Sequence, residues 1–162
     1  MGGSNELVVS TPSDKEIVMT RIFDAPRDLV FEAHTSCEHM KNWWGPRKYE
    51  ISSCDIDFRE GGAWRIVQRA PDGGEHAFRG EFREILRPER LVWTFEYEPM
   101  AGHISVDTLT LEEHDGKTTL TATSVFDSVE DRDGMLNSGM ESGAAETWDR
   151  LDEYLEELRK AG

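Results

Sequence analysis

Side chains that bind metals are spread along this sequence without a pattern that would bring them together. The five histidines are His34, His39, His76, His103 and His114. No two of them have the i, i+4 spacing that places a pair of metal ligands on one helix face, and no cluster of cysteine and histidine occurs. We therefore predict no metal site and no cofactor. His103, at the start of a predicted strand, is retained as a possible pocket residue, whereas His34 and His39 are expected at the surface.

The two cysteines offer little support for nucleophilic chemistry. Cys54 shares a predicted strand face with Ile56 and Phe58, so we interpret it as a small, buried apolar residue. Cys37 lies in the first turn of a predicted helix, where the helix dipole would stabilise a thiolate, but no base lies nearby in the sequence. Two cysteines do not make the disulfide framework of a small secreted protein, and the expected compartment is a reducing cytoplasm.

Acid–base chemistry would require a polar group directed into an apolar pocket, with its pKa shifted by that environment. The candidates are Arg69, Glu96, His103 and Asp107. Each of them can equally lie on the solvent face of its strand. We therefore predict no catalytic residue, and the sequence contains neither a GxSxG nucleophile motif nor a phosphate-binding loop.

Aromatic side chains give the clearest indication of a site. Trp43 and Trp44 stand side by side in the run NWWGP, at the end of a short predicted helix that Gly45 and Pro46 terminate. Such side chains either fill the core or line a pocket, and the aromatic residues of the later strands favour a pocket. We predict a largely apolar cavity lined by Trp43, Trp44, Trp64, Phe78, Trp93, Phe95, Tyr97, His103, Met140 and Trp148.

The elements that must position these residues begin with one strand and two short helices. The run EIVMTRIF at 16–23 is rich in β-branched residues, as is typical of a strand. Pro26 then suits the first turn of a helix. Thr35 and Glu38 have the spacing of a capping box, so a second short helix should begin there and end at Gly45.

Between residues 49 and 126 the apolar pattern alternates with a period of two, which predicts β-strands. The run PDGG at 71–74 and the pair Asp115-Gly116 are typical hairpin turns. Consecutive strands joined by short turns form an antiparallel meander, here of six strands. One face of this sheet carries many aromatic residues and therefore needs a cover.

A long amphipathic helix, predicted from about 138 to 159, supplies that cover. Apolar residues follow helical spacing along one stripe, and acidic residues occupy the other faces. The stripe consists of Met140, Ala144, Trp148, Leu151, Leu155 and Leu158. Small residues at 139 and 143–145 make the first half of the helix thin, which leaves room for a cavity beneath it.

Length and charge restrict the class of protein. A chain of 162 residues without repeats or linkers predicts one domain at 15–162, preceded by a flexible leader at 1–14 that lacks the features of a signal peptide. The net charge of −15 disfavours binding to nucleic acids and to anionic membranes. No apolar stretch is long enough to span a bilayer. The oligomeric state is left open.

Three runs of the sequence resemble a known family over residues 16–158. They are FDAPRDLVFEAHTSCEHMKNWWGP, FREGGAWRIVQRAPDGGEHAFRGEFREILRPERLVWTFEYE and GMESGAAETWDRLDEYL. They are similar to bacterial proteins related to the C-terminal domain of the activator of the heat-shock-protein-90 ATPase. These belong to the START-like (SRPBCC) superfamily, with the birch-pollen-allergen-like and polyketide-cyclase proteins. The resemblance implies an α+β helix-grip fold, with a curved antiparallel sheet, two short helices and a long C-terminal helix.

What the resemblance implies about function is broader, because one fold carries several activities in this superfamily. The first interpretation is a binding protein for a hydrophobic small molecule, held between sheet and C-terminal helix. The second is an enzyme of the cyclase or hydrolase type. The third is a partner of the heat-shock chaperone. A closed core favours the third interpretation, an open apolar cavity favours the first, and a cavity containing a buried, partnered ionisable group favours the second.

Overall fold

The chain folds into one antiparallel sheet whose inner face is crossed by a long helix. A computed structural model describes residues 6–161, and its eight strands pair in the order β1-β2-β8-β7-β6-β5-β4-β3. The strands are β1 (Val8–Ser10), β2 (Glu16–Phe23), β3 (Glu50–Ile56), β4 (Ala63–Arg69), β5 (Glu75–Leu86), β6 (Arg90–Tyr97), β7 (Ile104–His114) and β8 (Lys117–Val125). The helices are α1 (Arg27–Glu32), α2 (Cys37–Met40), α3 (Val129–Leu136) and α4 (Met140–Ala161), with a short 3-10 helix at Glu98–Met100. The predicted helix-grip fold is confirmed.

The predicted six-strand meander is present as β3 to β8, each strand pairing with the next along the chain. Strand alternation turns one set of side chains inward, because successive residues of a strand point to opposite faces. In β4 this set is Trp64, Ile66 and Gln68, all buried. Leu109 and Leu111 of β7 are buried in the same way.

The segment predicted to be a flexible leader contributes a strand. Val8–Ser10 pairs antiparallel with β2, with Val9 opposite Met19, and so extends the sheet at its edge. The leader prediction is wrong for these three residues, because the backbone of β2 offers hydrogen bonds that a short β-branched run can use. Residues 1–5 of the predicted leader lie outside the described residues.

The short helices differ in detail from the prediction. Helix α2 is capped by Ser36, whose side-chain oxygen accepts a hydrogen bond from the backbone N–H of His39 at 3.3 Å. The predicted capping box of Thr35 and Glu38 is therefore wrong by one position. The helix also ends at Met40, so that the two tryptophans follow it in a turn. Helix α3 was not predicted.

Helix α4 packs its apolar stripe on the inner face of the sheet, as predicted. Trp148, Leu151 and Leu155 are buried, with Leu155 only 1% exposed. Arg21 of β2 is also buried beneath the helix, and its guanidinium donates to the Asp149 carboxylate at 2.7 Å. This ion pair fixes the helix to the N-terminal side of the sheet.

The two cysteines form a disulfide bond, which corrects the prediction made for both. Helix α2 packs beside β3 and brings the Cα atoms of Cys37 and Cys54 to 5.8 Å, within the usual range for a disulfide. Cys54 is therefore not a free apolar residue, and Cys37 has no thiolate while the bond is intact. The bond closes a ring that contains both Trp43 and Trp44.

Candidate ligand-binding site

A cavity of about 370 Å³ lies between the inner face of the sheet, the turn after α2 and the N-terminal half of α4. The lining is mostly apolar and aromatic. Eight of the ten predicted pocket residues contribute to it, namely Trp43, Trp44, Trp64, Phe78, Trp93, Phe95, Met140 and Trp148. All five tryptophans of the chain are in this set.

The paired tryptophans have different surroundings. Trp43 is 3% exposed, its indole N–H donates to the carbonyl of Ala33 at 3.0 Å, and its ring meets that of His34 edge to face. Trp44 is only partly buried and contacts the ring of Phe78, with the ring centroids 5.2 Å apart. Trp43 thus anchors the turn in the core, whereas the less buried Trp44 forms one wall of the cavity.

Helix α4 holds this wall in place from the opposite side. The guanidinium of Arg150 donates hydrogen bonds to the carbonyls of Gly45, at 2.7 Å, and Asn42, at 3.2 Å. Gly45 adopts a φ of +88°, and a Cβ there would lie 1.9 Å from the amide nitrogen of Gln68. A glycine is therefore required at this position, both for the backbone conformation and for the close approach of Gln68.

The opposite walls come from the sheet and from the thin part of α4. Phe78 stacks at a tilt on Phe95, with ring centroids 5.4 Å apart, and the Trp64 ring lies 6.0 Å from the same Phe95 ring. Gly143 and Ala144 line the cavity from the helix. The small residues at the start of α4 leave the space that the sequence predicts there.

Two predicted pocket residues lie outside the cavity lining. The hydroxyl of Tyr97 is hydrogen-bonded to the ring of His76 at 2.6 Å. The ring of His103 is about half exposed and lies 2.8 Å from the carboxylate of Asp131 in α3. The Tyr97 ring stacks on Phe78, with the ring centroids 5.2 Å apart, so it lies on the inner face of the sheet next to the cavity lining.

His34, by contrast, was predicted at the surface but is buried in the cavity wall. Its Nδ1 lies 2.8 Å from the carbonyl oxygen of Val30. Burial lowers the pKa of His34 to about 4, because the charged ring would lose its hydration. His34 is therefore neutral at physiological pH. His39, expected at the surface like His34, is partly buried and hydrogen-bonded to Tyr154 at 2.6 Å.

Among residues 6–161, Asp107 is the only carboxylate in the cavity lining. Its carboxylate accepts a hydrogen bond from the hydroxyl of Ser105 at 3.0 Å, and Ser124 lies directly opposite on β8. Burial raises the pKa of Asp107 to about 6, and the two serines offset part of this effect. The residue is half-buried and belongs to the cavity lining.

The other acid–base candidates point elsewhere. Glu96 accepts hydrogen bonds from Arg79 at 2.8 Å and from the backbone of Gly102, and these donors hold its pKa below the usual range. Arg69 is about half exposed and lies between two glutamates on the outer face of the sheet. Of the four acid–base candidates that the sequence offers, Asp107 is the one that the structure places in the cavity lining.

Gln68 is a cavity residue that the sequence prediction did not include. It is 5% exposed, and no hydrogen bond joins its side chain to any residue within 6–161. The signal was present, since the alternation in β4 places Gln68 on the same face as Trp64 and Ile66. Because it lines the cavity, its amide can donate to or accept from a polar group of a bound molecule.

Comparison with known families identifies the chain. The family model described as activator of Hsp90 ATPase homolog 1-like protein matches residues 24–156. The chain belongs to this family. The match includes β3 to β8, α1, α2 and most of α4, and so contains almost the entire cavity lining. The resemblance inferred from the sequence is confirmed.

Solved structures share the fold of this Hsp90-activator-like chain over nearly its whole length. A protein from Rhodobacter sphaeroides is 25% identical, with a TM-score of 0.88, and the match covers 93% of this chain and 98% of the other. A protein from Nitrosomonas europaea is also 25% identical, with a TM-score of 0.84 and coverage of 93% and 99%. An Arthrobacter aurescens protein is 24% identical, with a TM-score of 0.82 and coverage of 93% and 91%. No functionally curated protein matches the sequence.

Metal ligands and long apolar helices bear on other classes of function for the Hsp90-activator-like chain. Within residues 6–161, no three or more histidine, cysteine, aspartate or glutamate side chains are grouped so that they could hold a metal ion. Among the helices of the same part of the chain, none is long and apolar enough to cross a membrane.

Proposed function

We propose that the protein binds an apolar or aromatic small molecule in the cavity between the sheet and α4. The observation that carries the proposal is the cavity itself. Protein interiors are close-packed, and voids larger than a water molecule are few. A space of about 370 Å³ lies within the size range of small-molecule sites and has their mostly apolar lining.

The apolar lining indicates which ligands would gain the most binding free energy from burial in the cavity. An aromatic group comparable to a phenylalanine or tryptophan side chain buries about 150–250 Å². At about 25 cal/mol per Å², this burial contributes about 4–6 kcal/mol before the costs of association are subtracted. One ring is therefore marginal, and we expect ligands with at least two rings or an equivalent aliphatic chain.

Intrinsic fluorescence can test this proposal, because all five tryptophans line the cavity. We expect saturable quenching when aromatic and fatty acids, alcohols and amines are titrated into the protein. The change should be smaller in the Trp44→Phe or Trp93→Phe protein, which assigns the signal to one wall. Native mass spectrometry of the protein purified from its own host would reveal a molecule that is already bound.

A pair of helix variants distinguishes binding in the cavity from binding elsewhere. Ala144 lines the cavity, whereas its neighbour Ala145 does not. Ala144→Leu should fill part of the space and abolish the saturable quenching, and Ala145→Leu should retain it. If both variants bind like the wild type, or if chemical-shift changes fall only on the outer faces, the ligand does not occupy this cavity and the proposal is wrong.

An enzyme of the cyclase or hydrolase type is the second candidate, and Asp107 is the observation that favours it. The carboxylate is half-buried, partnered by hydroxyl groups and has a pKa moved toward neutrality, as a general base requires. Product formation from a bound aromatic substrate, lost in Asp107→Asn while binding is retained, would support this function over simple binding.

Two further interpretations of the sequence, a chaperone partner and a cytoplasmic location, remain predictions. Partnership with the heat-shock chaperone is a property that the family name suggests, and a pull-down with purified chaperone would test it. A cytoplasmic location is the other. Disulfide bonds are rare in reducing compartments, so the bond between Cys37 and Cys54 makes thiol quantification in cell extracts a direct test of that prediction.

A further inference from the structure

We propose that the ligand of this cavity carries a basic nitrogen, whose ammonium group pairs with the Asp107 carboxylate. The inference rests on the proposed binding function and narrows the class of ligand. Within the part of the chain that the structure describes, Asp107 is the single acidic group of an apolar lining that contains no lysine or arginine.

The surroundings of Asp107 contain hydrogen-bond donors but no cation. Its own strand provides Ser105, β8 provides Ser124 and β6 places Trp93 beside it. No lysine or arginine of the described chain belongs to the cavity lining, and His34 is the only other titratable group there. A half-buried, desolvated carboxylate with only neutral partners is costly, and a bound cation would offset that cost.

His34 is a poor counter-ion for Asp107. Its pKa is lowered to about 4, so its ring is neutral under conditions where the Asp107 carboxyl, with a pKa of about 6, is mostly ionised. One of its ring nitrogens is also engaged with the carbonyl of Val30. The negative charge in the cavity is therefore not neutralised by any described residue of the lining.

The aromatic walls favour a cation over an anion. Indole and phenyl rings carry partial negative charge on their faces and attract ammonium groups within about 6 Å, and tryptophan does so best. Trp93 is the cross-strand neighbour of Asp107, and four more indoles line the same space. The net charge of −15 also disfavours the approach of an anion.

Gln68 indicates a second polar position at the other side of the cavity. It lies on β4, three strands from β7, which corresponds to about 14 Å along the sheet. Its amide can donate and accept hydrogen bonds and has no partner within the described residues. An amine whose apolar body ends in a hydroxyl or carbonyl group would satisfy both positions.

Calorimetry with three matched probes tests the inference. The probes are 2-naphthylmethylamine, 2-naphthalenemethanol and 2-naphthoic acid, which share one ring system and differ in charge. At about pH 8 we expect the amine to bind the wild-type protein about 10- to 100-fold more tightly than the alcohol, because hydrogen bonds to charged groups contribute about 1.5–3 kcal/mol. The acid should bind most weakly.

Two variants show whether Asp107 causes this preference. Asp107→Asn keeps the side-chain shape and removes the charge, so the amine and the alcohol should bind it with similar affinity. Glu112→Gln removes one charge from an exposed position of the same strand and should leave the preference unchanged. Circular dichroism verifies that both variants are folded. The wild-type preference for the amine should also decline as the pH falls below about 6, when Asp107 becomes protonated.

The outcomes separate this inference from the function on which it rests. If the alcohol binds but the amine binds no more tightly, or if Asp107→Asn retains the preference, the basic-nitrogen class is wrong and the binding function stands. A preference for 2-naphthoic acid also overturns the inference. If no probe binds, both the function and the inference fall.

Discussion

Replacing Asp107 with asparagine should stabilise the protein at neutral and alkaline pH. Burial raises the pKa of the carboxyl from 3.8 to about 6, which means that the folded state disfavours the ionised form. An asparagine keeps an oxygen that can accept the hydrogen bond from Ser105 and avoids the buried charge. The variant therefore isolates the energetic cost of the Asp107 carboxylate in the cavity.

The expected magnitude follows from the pKa. The difference between 3.8 and about 6 corresponds to about 3 kcal/mol of unfolding free energy. This value is an upper limit, because part of the carboxyl surface faces the cavity, and the new amide N–H groups need acceptors of their own. We expect a gain of about 2 kcal/mol at about pH 8, which corresponds to about 4–8 °C in melting temperature for a chain of this size.

The gain should disappear in acid. Since the folded-state pKa is raised, the native protein takes up a proton that the unfolded chain does not, between about pH 6 and pH 4. The cost of the carboxylate is therefore fully present above about pH 6 and is relieved as the pH falls. His34 acts in the opposite direction, because its folded-state pKa is lowered to about 4 and its contribution is lost below about pH 6.5. Both proteins contain His34, so this contribution cancels in the difference between them.

Urea unfolding of the wild type and Asp107→Asn at about pH 8 and about pH 4.5 measures the difference. Circular dichroism is the appropriate signal, because the tryptophan emission also responds to the cavity. Glu112→Gln, which removes an exposed charge from the same strand, should show no such gain. Equal stability of the wild type and Asp107→Asn at about pH 8, or a gain that grows toward acid, would refute the argument that Asp107 is a desolvated, unneutralised carboxylate.

Three further substitutions test the packing. Leu155→Ala should lower the unfolding free energy by about 2–5 kcal/mol, because the side chain is 1% exposed, and an unchanged melting temperature would contradict its place in the core. Replacing both Cys37 and Cys54 by serine should lower the unfolding free energy by about 3 kcal/mol under oxidising conditions, because the bond spans 17 residues. A reductant should make the wild type as unstable as this variant, and a difference that persists in reductant would count against the bond. Gly80→Ala should destabilise strongly, since a Cβ there would lie 1.8 Å from the carbonyl oxygen of Thr94, and a variant as stable as the wild type in thermal unfolding would show that β5 and β6 can separate.

Long regular patterns made much of this fold predictable from the sequence. The apolar stripe of α4 was sufficient to predict that Trp148 and Leu155 are buried, and the alternation in β4 predicted that Trp64 faces inward. The thin start of the same helix predicted the space near Met140. These inferences succeeded because each depends on a period that repeats several times along one element.

Features that depend on contacts between distant segments were not predictable. Local spacing said nothing about the approach of Cys37 to Cys54, which depends on how α2 packs against β3. His34 is buried because its ring lies against Trp43, a tertiary contact without a local signature. Asp107 could not be selected, since polar residues occur on both faces of a strand that is only partly covered.

The disulfide bond gives the wall of the cavity a property that is useful in limited proteolysis. Lys41, Arg47 and Lys48 are exposed and lie inside the ring closed by Cys37 and Cys54. If trypsin cuts there, the two pieces stay linked, so the chain keeps its full mass on a non-reducing gel and separates only after reduction. Cuts elsewhere release fragments on both gels. The difference between the two gels therefore records how often the tryptophan wall opens, separately from fraying at the rest of the surface.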